Sequence, residues 1–209
     1  MRKVVELTDP VTAEEYLKHQ RSGPHEFAPK YEFFDQKLRL LSGNNHNHNA
    51  IVTNFVYEIS LQTHQNDMDI HVFAVYLRTI SYSTTKNYVY PDIIIVEGKV
   101  YCEDGSDDNL VNPTLIIEIL SDSTEGFDRG DKFGSYRQTP SIKEYILVSQ
   151  KEKCIEQFFK DEAGRWQIGE IITEGTSKLE TIPFELSVED IYRNVEFKPL
   201  PSVSEEDKV

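Results

Sequence analysis

Apolar residues recur along this chain in two rhythms, and each rhythm predicts an element. From His48 the positions Ile51, Val52, Phe55, Val56 and Ile59 fall three and four residues apart, which predicts an amphipathic helix with one face on the core. Residues 91–97 and 115–120 are instead near-continuous runs, PDIIIVE and LIIEIL, as expected of strands buried on both faces. Between 69 and 90, β-branched and aromatic residues alternate with polar ones, predicting extended chain with a turn at 84–87. The polar stretch 103–112 reads as a surface loop.

Local stop and start signals add the flanking elements. Thr12 followed three residues later by Glu15 is a capping box ahead of Tyr16 and Leu17, predicting a helix over 11–20. Residues 31–41 predict two short strands around a turn at Asp35 and Gln36, and the string SGNNHNHN after them is a polar loop. A helix over 128–138, with Phe133 and Tyr136 inward, is stopped by Thr139 and Pro140. Strands over 144–149, 154–160 and 165–172 follow, then a last strand over 179–184 and a short helix over 187–192 capped by Ser187. This order predicts one α/β domain over 1–198 with a disordered acidic tail at 199–209.

Composition narrows the function classes. No apolar stretch approaches the roughly 20 residues of a membrane span, so no membrane partner is expected. The opening MRKVVELTDP lacks the apolar core of a secretory signal, which places the protein in the cytoplasm, with Cys102 and Cys154 as reduced thiols. A net charge of −14 argues against non-specific nucleic-acid binding, which depends on cations that neutralise phosphates. Cations do cluster in sequence at Arg129, Lys132, Arg137, Lys143, Lys151 and Lys153, where a solvated face is the first expectation and a phosphate-binding patch the second.

The chemistry lies in the apolar runs. Asp92 and Glu118 are acids among isoleucines, and an ionised carboxylate there is costly unless something positive receives it. Either acid alone reads as a partner of Arg, Lys or backbone N–H groups. The two together, followed by a basic helix, point to Mg²⁺ or Mn²⁺, which binds through one or two carboxylates and keeps waters for a phosphate to displace. Lys132 is either an i,i+4 partner of Asp128 or, if its helix crosses the strand ends, a cation that stabilises charge on phosphoryl oxygens. Arg129 is either exposed or a further phosphate contact. His48 lies on the core-facing side of its helix, as a satisfied core histidine or as part of the cleft. The letters HNH at 46–48 lack the other ligands of an HNH nuclease and are set aside.

Taken in order, YE at Glu32, an H-N-x-I helix start at His48, YPD at 90–92, IEILS at 117–121, DRxxK at 128–132 and EYILV at 144–148 resemble one known family. It is the bacterial Uma-type family of restriction endonucleases, within the PD-(D/E)xK superfamily, and the resemblance covers roughly residues 10–195. The resemblance implies a restriction-endonuclease-like mixed central β-sheet flanked by helices, with additional hairpins. It also implies a catalytic set of Asp92, Glu118, Lys132 and Glu32, with Asp92 and Glu118 as metal ligands. One departure stands out: Leu120 occupies the position two residues after the strand glutamate where the superfamily carries its lysine. Lys132 is the migrated lysine in this reading. The leading expectation is a metal-dependent endonuclease acting on nucleic acid, DNA first. Its alternatives are a catalytically weak module that binds nucleic acid or a partner protein, and a structural homodimer.

Overall fold

The isoleucine runs form the middle of a six-stranded mixed sheet in the computed structural model, which describes residues 6–7, 11–22, 30–41, 45–74, 77–103 and 105–197. The expected tail at 199–209 and part of the SGNNHNHN loop lie outside those residues. Strands β1 (Glu6–Leu7), β2 (Tyr31–Phe34) and β3 (Lys37–Leu40) open the fold, with α1 (Ala13–Ser22) after the first of them. Thr12 and Glu15 cap α1 reciprocally, Thr12 N donating to Glu15 Oε2 at 2.9 Å and Glu15 N to Thr12 Oγ1 at 3.2 Å. Asp35 and Gln36 take positive φ values of 46° and 63°, the geometry a two-residue hairpin turn requires.

The long helix α2 (His46–Gln65) follows, then β4 (Ile70–Ala74), β5 (Arg78–Tyr82), β6 (Lys86–Val89), β7 (Ile93–Glu97), the short β8 (Asn109–Leu110) and β9 (Leu115–Leu120). Asn45 caps α2 by accepting from His48 N at 2.9 Å, and its amide donates to Gln150 Oε1 at 2.6 Å. Asn45→Ala is therefore expected to cost about 1 kcal/mol, read as a lowered thermal midpoint. Helical residues 125–138 comprise α3 (Glu125–Phe127), a π turn at Asp128–Lys132 and α4 (Phe133–Gln138). Beyond them lie β10 (Glu144–Ser149), β11 (Ile155–Lys160), β12 (Trp166–Ile172), β13 (Thr176–Lys178), β14 (Glu185–Ser187) and α5 (Val188–Ile191).

One sheet has the order β12-β11-β10-β9-β7-β4, a second has β1-β3-β2-β6-β5-β8, and β13 with β14 makes a small hairpin. Strands β9 and β10 are parallel while β7 and β9 are antiparallel, so the first sheet is mixed. A parallel pair needs a crossover, and the helical run 125–138 supplies it. Its Tyr136 and Phe133 pack with Ile116, Leu120, Tyr145 and Leu147 on one face. Helix α2 covers the other with Ile51, Val52, Phe55 and Ile59 against Ile93, Ile95, Ile117 and Ile119. Burial on both faces is why these strands read as unbroken apolar runs.

Three expectations are corrected. Residues 103–112 are not wholly a surface loop: Asn109 and Leu110 are buried and pair in parallel with β5. Asp92 stands one residue before β7 rather than inside the strand. Residues 179–184 do not form a strand but the loop joining β13 and β14. The backbone N–H groups of Glu180 and Thr181 there donate to the buried Glu144 carboxylate at 2.9–3.2 Å, while Leu179, Ile182 and Phe184 plug the core. Donors satisfied by a side chain need no strand neighbour.

Candidate active site

The two large sheets meet where β6 runs through Tyr90 and Pro91 into β7, and the ionisable residues gather at that junction. Ile93 pairs with Ile117, so continuing the antiparallel register sets Asp92 opposite Glu118. The pair is stitched at both ends: Asp92 N donates to Glu118 Oε2 at 3.3 Å, and Ile119 N donates to Asp92 Oδ2 at 2.9 Å. Glu32 arrives from β2 in the other sheet and accepts from Tyr90 N at 3.0 Å.

Lys132 comes from the crossover. Its Nζ lies 2.8 Å from Glu118 Oε1, 3.1 Å from Glu32 Oε1 and 3.7 Å from Asp128 Oδ1, and its side chain is 4% exposed. The i,i+4 pair with Asp128 is thus present but buried, and Glu118 and Glu32 join it. The π turn, which holds an extra residue per turn, carries both Asp128 and Lys132 inward. Tyr136, one turn further on, donates its hydroxyl to Glu118 Oε1 at 3.0 Å.

His48 reaches the same junction from the first turn of α2. Its Nε2 stands 3.0 Å from Asp92 Oδ1, yet among the described residues neither ring nitrogen makes a hydrogen bond, although the ring is buried. The distance is met without the angle an N–H donor needs. The imidazole thus stands at the cluster, within ion-pair distance of the Asp92 carboxylate.

Three carboxylates, from Glu32, Glu118 and Asp128, face one ammonium in this buried space, and the fourth, from Asp92, lies beside Glu118. Burial first, then the charges of Asp92 and Asp128, push the Glu118 carboxyl up to about 8 against the pull of Lys132. Burial likewise raises Asp128, opposed by Lys132 and a hydrogen bond from Thr124. Burial pulls Lys132 down, but Glu118, Glu32 and Asp128 outweigh it and hold the ammonium far above its usual range. The cluster is a cation-poor site.

Of the residues singled out from sequence, Asp92, Glu118, Lys132, Glu32 and His48 converge. Arg129 does not join them; it makes a two-point contact with Glu156 on β11 at 2.6 and 2.7 Å and a third bond to Glu125 at 3.0 Å. Sequence reading missed Asp128 and Tyr136 as members of the cluster. The DRxxK pattern held the signal for Asp128, and the four-residue step from Lys132 held it for Tyr136.

Among the described residues no three His, Cys, Asp or Glu side chains stand as a ready-made metal cluster. The reason is visible in the contacts: Glu118 is turned toward Lys132 and Tyr136. The donor set nonetheless suits a hard divalent ion, because a buried excess of carboxylates faces an imidazole whose nitrogens are unsatisfied. The 3.0 Å separation of His48 Nε2 and Asp92 Oδ1 matches the edge of an octahedron with arms of about 2.1 Å. A cation there would share Glu118 with Lys132.

A protein of Synechocystis sp. described as uncharacterized protein sll1609 is 30% identical over 171 residues, spanning 82% of this chain and 93% of that protein. A second from the same organism, slr1290, is 28% identical over 190 residues, covering 90% and 94%. The crystal structure of an Anabaena variabilis protein, described as a putative nuclease belonging to DUF820, shares the fold with a TM-score of 0.66 at 20% identity, over 88% of this chain and 98% of that one. The fold is restriction-endonuclease-like, a mixed α/β arrangement with helices on the sheet faces. The family model described as "Putative restriction endonuclease" matches residues 13–195, and the chain belongs to that family, Uma2.

Proposed function

We propose that this protein is a metal-dependent endonuclease that hydrolyses phosphodiester bonds in DNA. The observation that carries the reading is the burial of Asp92, Glu118, Glu32 and Lys132 around one junction, with a carboxylate excess that no protein cation in the cluster balances. Asp92 and Glu118, with His48 as the neighbouring nitrogen donor, are the residues that would hold Mg²⁺ or Mn²⁺. The imidazole tilts the set toward the softer Mn²⁺. When bound, the ion polarises the scissile phosphate and lowers the pKa of a water.

The chain's own residues supply the rest. Lys132, fixed by three carboxylates, presents a positive charge that needs no reorganisation as negative charge builds on the phosphoryl oxygens. Glu32 holds that ammonium from the opposite sheet, and Tyr136 holds the Glu118 carboxylate. The lysine missing at Leu120 is thereby replaced in space by Lys132, whose helix packs over the strand that carries Glu118.

The test is cleavage of supercoiled plasmid with Mn²⁺, with Mg²⁺ and with EDTA. Nicked and linear products are expected with either ion, faster with Mn²⁺, and none with EDTA. Failure to cleave under all conditions, alongside retained DNA binding, would shift the assignment to a binding module on the same fold. Cleavage undiminished by EDTA would remove the metal from the mechanism.

A further inference from the structure

Thr124, Asp128, Lys132 and Tyr136 recur at every fourth residue of the crossover, and all four are buried. Thr124 donates to the Asp128 carboxylate, Lys132 faces Asp128, Glu118 and Glu32, and Tyr136 donates to Glu118. A regular α-helix does not keep such a ladder on one face. At 3.6 residues per turn each four-residue step overshoots by about 40°, so three steps would carry Tyr136 about 120° away from Thr124. The π turn at Asp128–Lys132 falls on the middle step, and its wider loop takes up the excess. The four side chains share the junction because of that turn.

The widening changes what the Asp128 carbonyl needs. In an α-helix it would accept from Lys132 N, four residues on. The π pattern moves the bonding, and the Phe133 N–H bonds Gly130 O. Tyr145 supplies a donor from outside the helix: its hydroxyl donates to Asp128 O at 3.1 Å, in a buried bond. The phenol comes from β10, where Tyr145 stands opposite Ile116 on the strand that bears Glu118. Its ring lies against Phe133, stacked at 5.1 Å and 20°, and against Tyr136, at 5.2 Å and 60°. A buried carbonyl requires a donor, and a donor on a ring fixed by packing sets where that carbonyl sits.

We propose that Tyr145 is a positioning residue for phosphodiester cleavage: by donating to the Asp128 carbonyl it holds the π turn that aligns Lys132 with Glu118 and Glu32. Without the phenol, Asp128 O is left to take Lys132 N, the turn tightens, and the ladder drifts off the junction. The replacement in space of the lysine missing at Leu120 then depends on the neighbouring strand as well as on the helix. The catalytic consequence rests on the nuclease reading, whereas the alignment of Lys132 does not.

The experiment compares wild type, Tyr145→Phe and Tyr192→Phe in two assays, at a temperature where thermal melts show all three folded. Tyr192→Phe is the control, because it removes another buried phenol that bonds backbone carbonyls, those of Ser149 and Cys154, away from the junction. The first assay is plasmid cleavage in Mn²⁺, with Mn²⁺ binding followed by calorimetry. Tyr145→Phe should lower kcat about tenfold, the effect of one hydrogen bond, with KM and the Mn²⁺ heat unchanged. The second is acetylation of amines by N-hydroxysuccinimidyl acetate, read at Lys132 by mass spectrometry. The enclosed Lys132 should react about tenfold faster in Tyr145→Phe than in wild type, while the exposed Lys143 reacts alike in both. Tyr192→Phe should match wild type in kcat and in Lys132 labelling. Unchanged kcat or unchanged Lys132 labelling in Tyr145→Phe would overturn the proposal, as would equal changes in Tyr192→Phe. A wild type that does not cleave in Mn²⁺ would remove the nuclease reading, and Lys132 labelling would then decide the alignment alone.

Discussion

Lys132→Met is expected to slow cleavage by about a hundredfold or more and to destabilise the metal-free protein by about 3–5 kcal/mol. Both effects follow from removing the one ammonium among Glu118, Glu32 and Asp128, which leaves buried carboxylates facing each other. The sign of the pH dependence follows from Glu118. Its folded carboxyl is raised from 4.5 to about 8, by burial first and then by Asp92 and Asp128, so its contribution to stability is complete below the unfolded value and is lost as pH rises toward the folded one. Without Lys132 that carboxyl rises further. Wild type and variant should therefore lose stability in parallel up to about pH 8, and the deficit of the variant should widen above about pH 8 in chemical denaturation, where only its folded carboxyl still holds the proton.

Adding Glu118→Gln to Lys132→Met should return part of the lost stability, since replacing both partners costs less than stranding one. Cleavage would stay lost. Wild-type rates in Lys132→Met would remove Lys132 from the chemistry, and an unchanged denaturation midpoint would contradict its role as the cluster's counter-charge.

Asp92→Asn is expected to abolish the calorimetric heat of Mn²⁺ binding and to lower cleavage by more than about a hundredfold. The change is mild for the fold, because Asn keeps an oxygen that can accept from Ile119 N, the bond that Asp92 Oδ2 makes at 2.9 Å. It also removes one of four crowded carboxylates, so the melting temperature of the metal-free variant should hold or rise. The contrast with Lys132→Met is diagnostic: both lose activity, but only Lys132→Met loses stability. Arg129→Ala serves as the control; its partly exposed pairs with Glu125 and Glu156 are worth at most about 1 kcal/mol, and Mn²⁺ binding should persist. Intact Mn²⁺ binding by Asp92→Asn would sink the assignment of Asp92 as a ligand.

The chemistry of the site was legible to differing depths. Asp92 and Glu118 declared themselves because a carboxylate in an isoleucine run is anomalous on its own strand, and no knowledge of neighbours is needed to see it. Lys132 was visible only as one of two readings, since helical spacing offers Asp128 as a sufficient partner. Glu32 carried no local signal: one acid beside a tyrosine is ordinary, and the family resemblance alone marked it. His48 could be placed on the buried side of α2 by its spacing, but whether its nitrogens were satisfied depended on which groups the other end of the sheet brought to it.

Burial patterns and caps are written within a few residues, so the sequence by itself determined α2, the buried strands β7, β9 and β10, the capping of α1 and the Asp35–Gln36 turn. It determined equally that two acids would be buried and need a positive partner. Tertiary structure decided the rest: the meeting of Glu32 from one sheet with Glu118 from the other, the π turn that sends Lys132 inward, and the pairing of Arg129, Lys143, Lys151 and Lys153 with Glu156, Glu97, Asp122 and Glu189. Periodicity states which face of an element is buried and is silent on what lies across it. Strand order and helix crossing set those partners, and they are fixed by the packing of residues far apart in the chain.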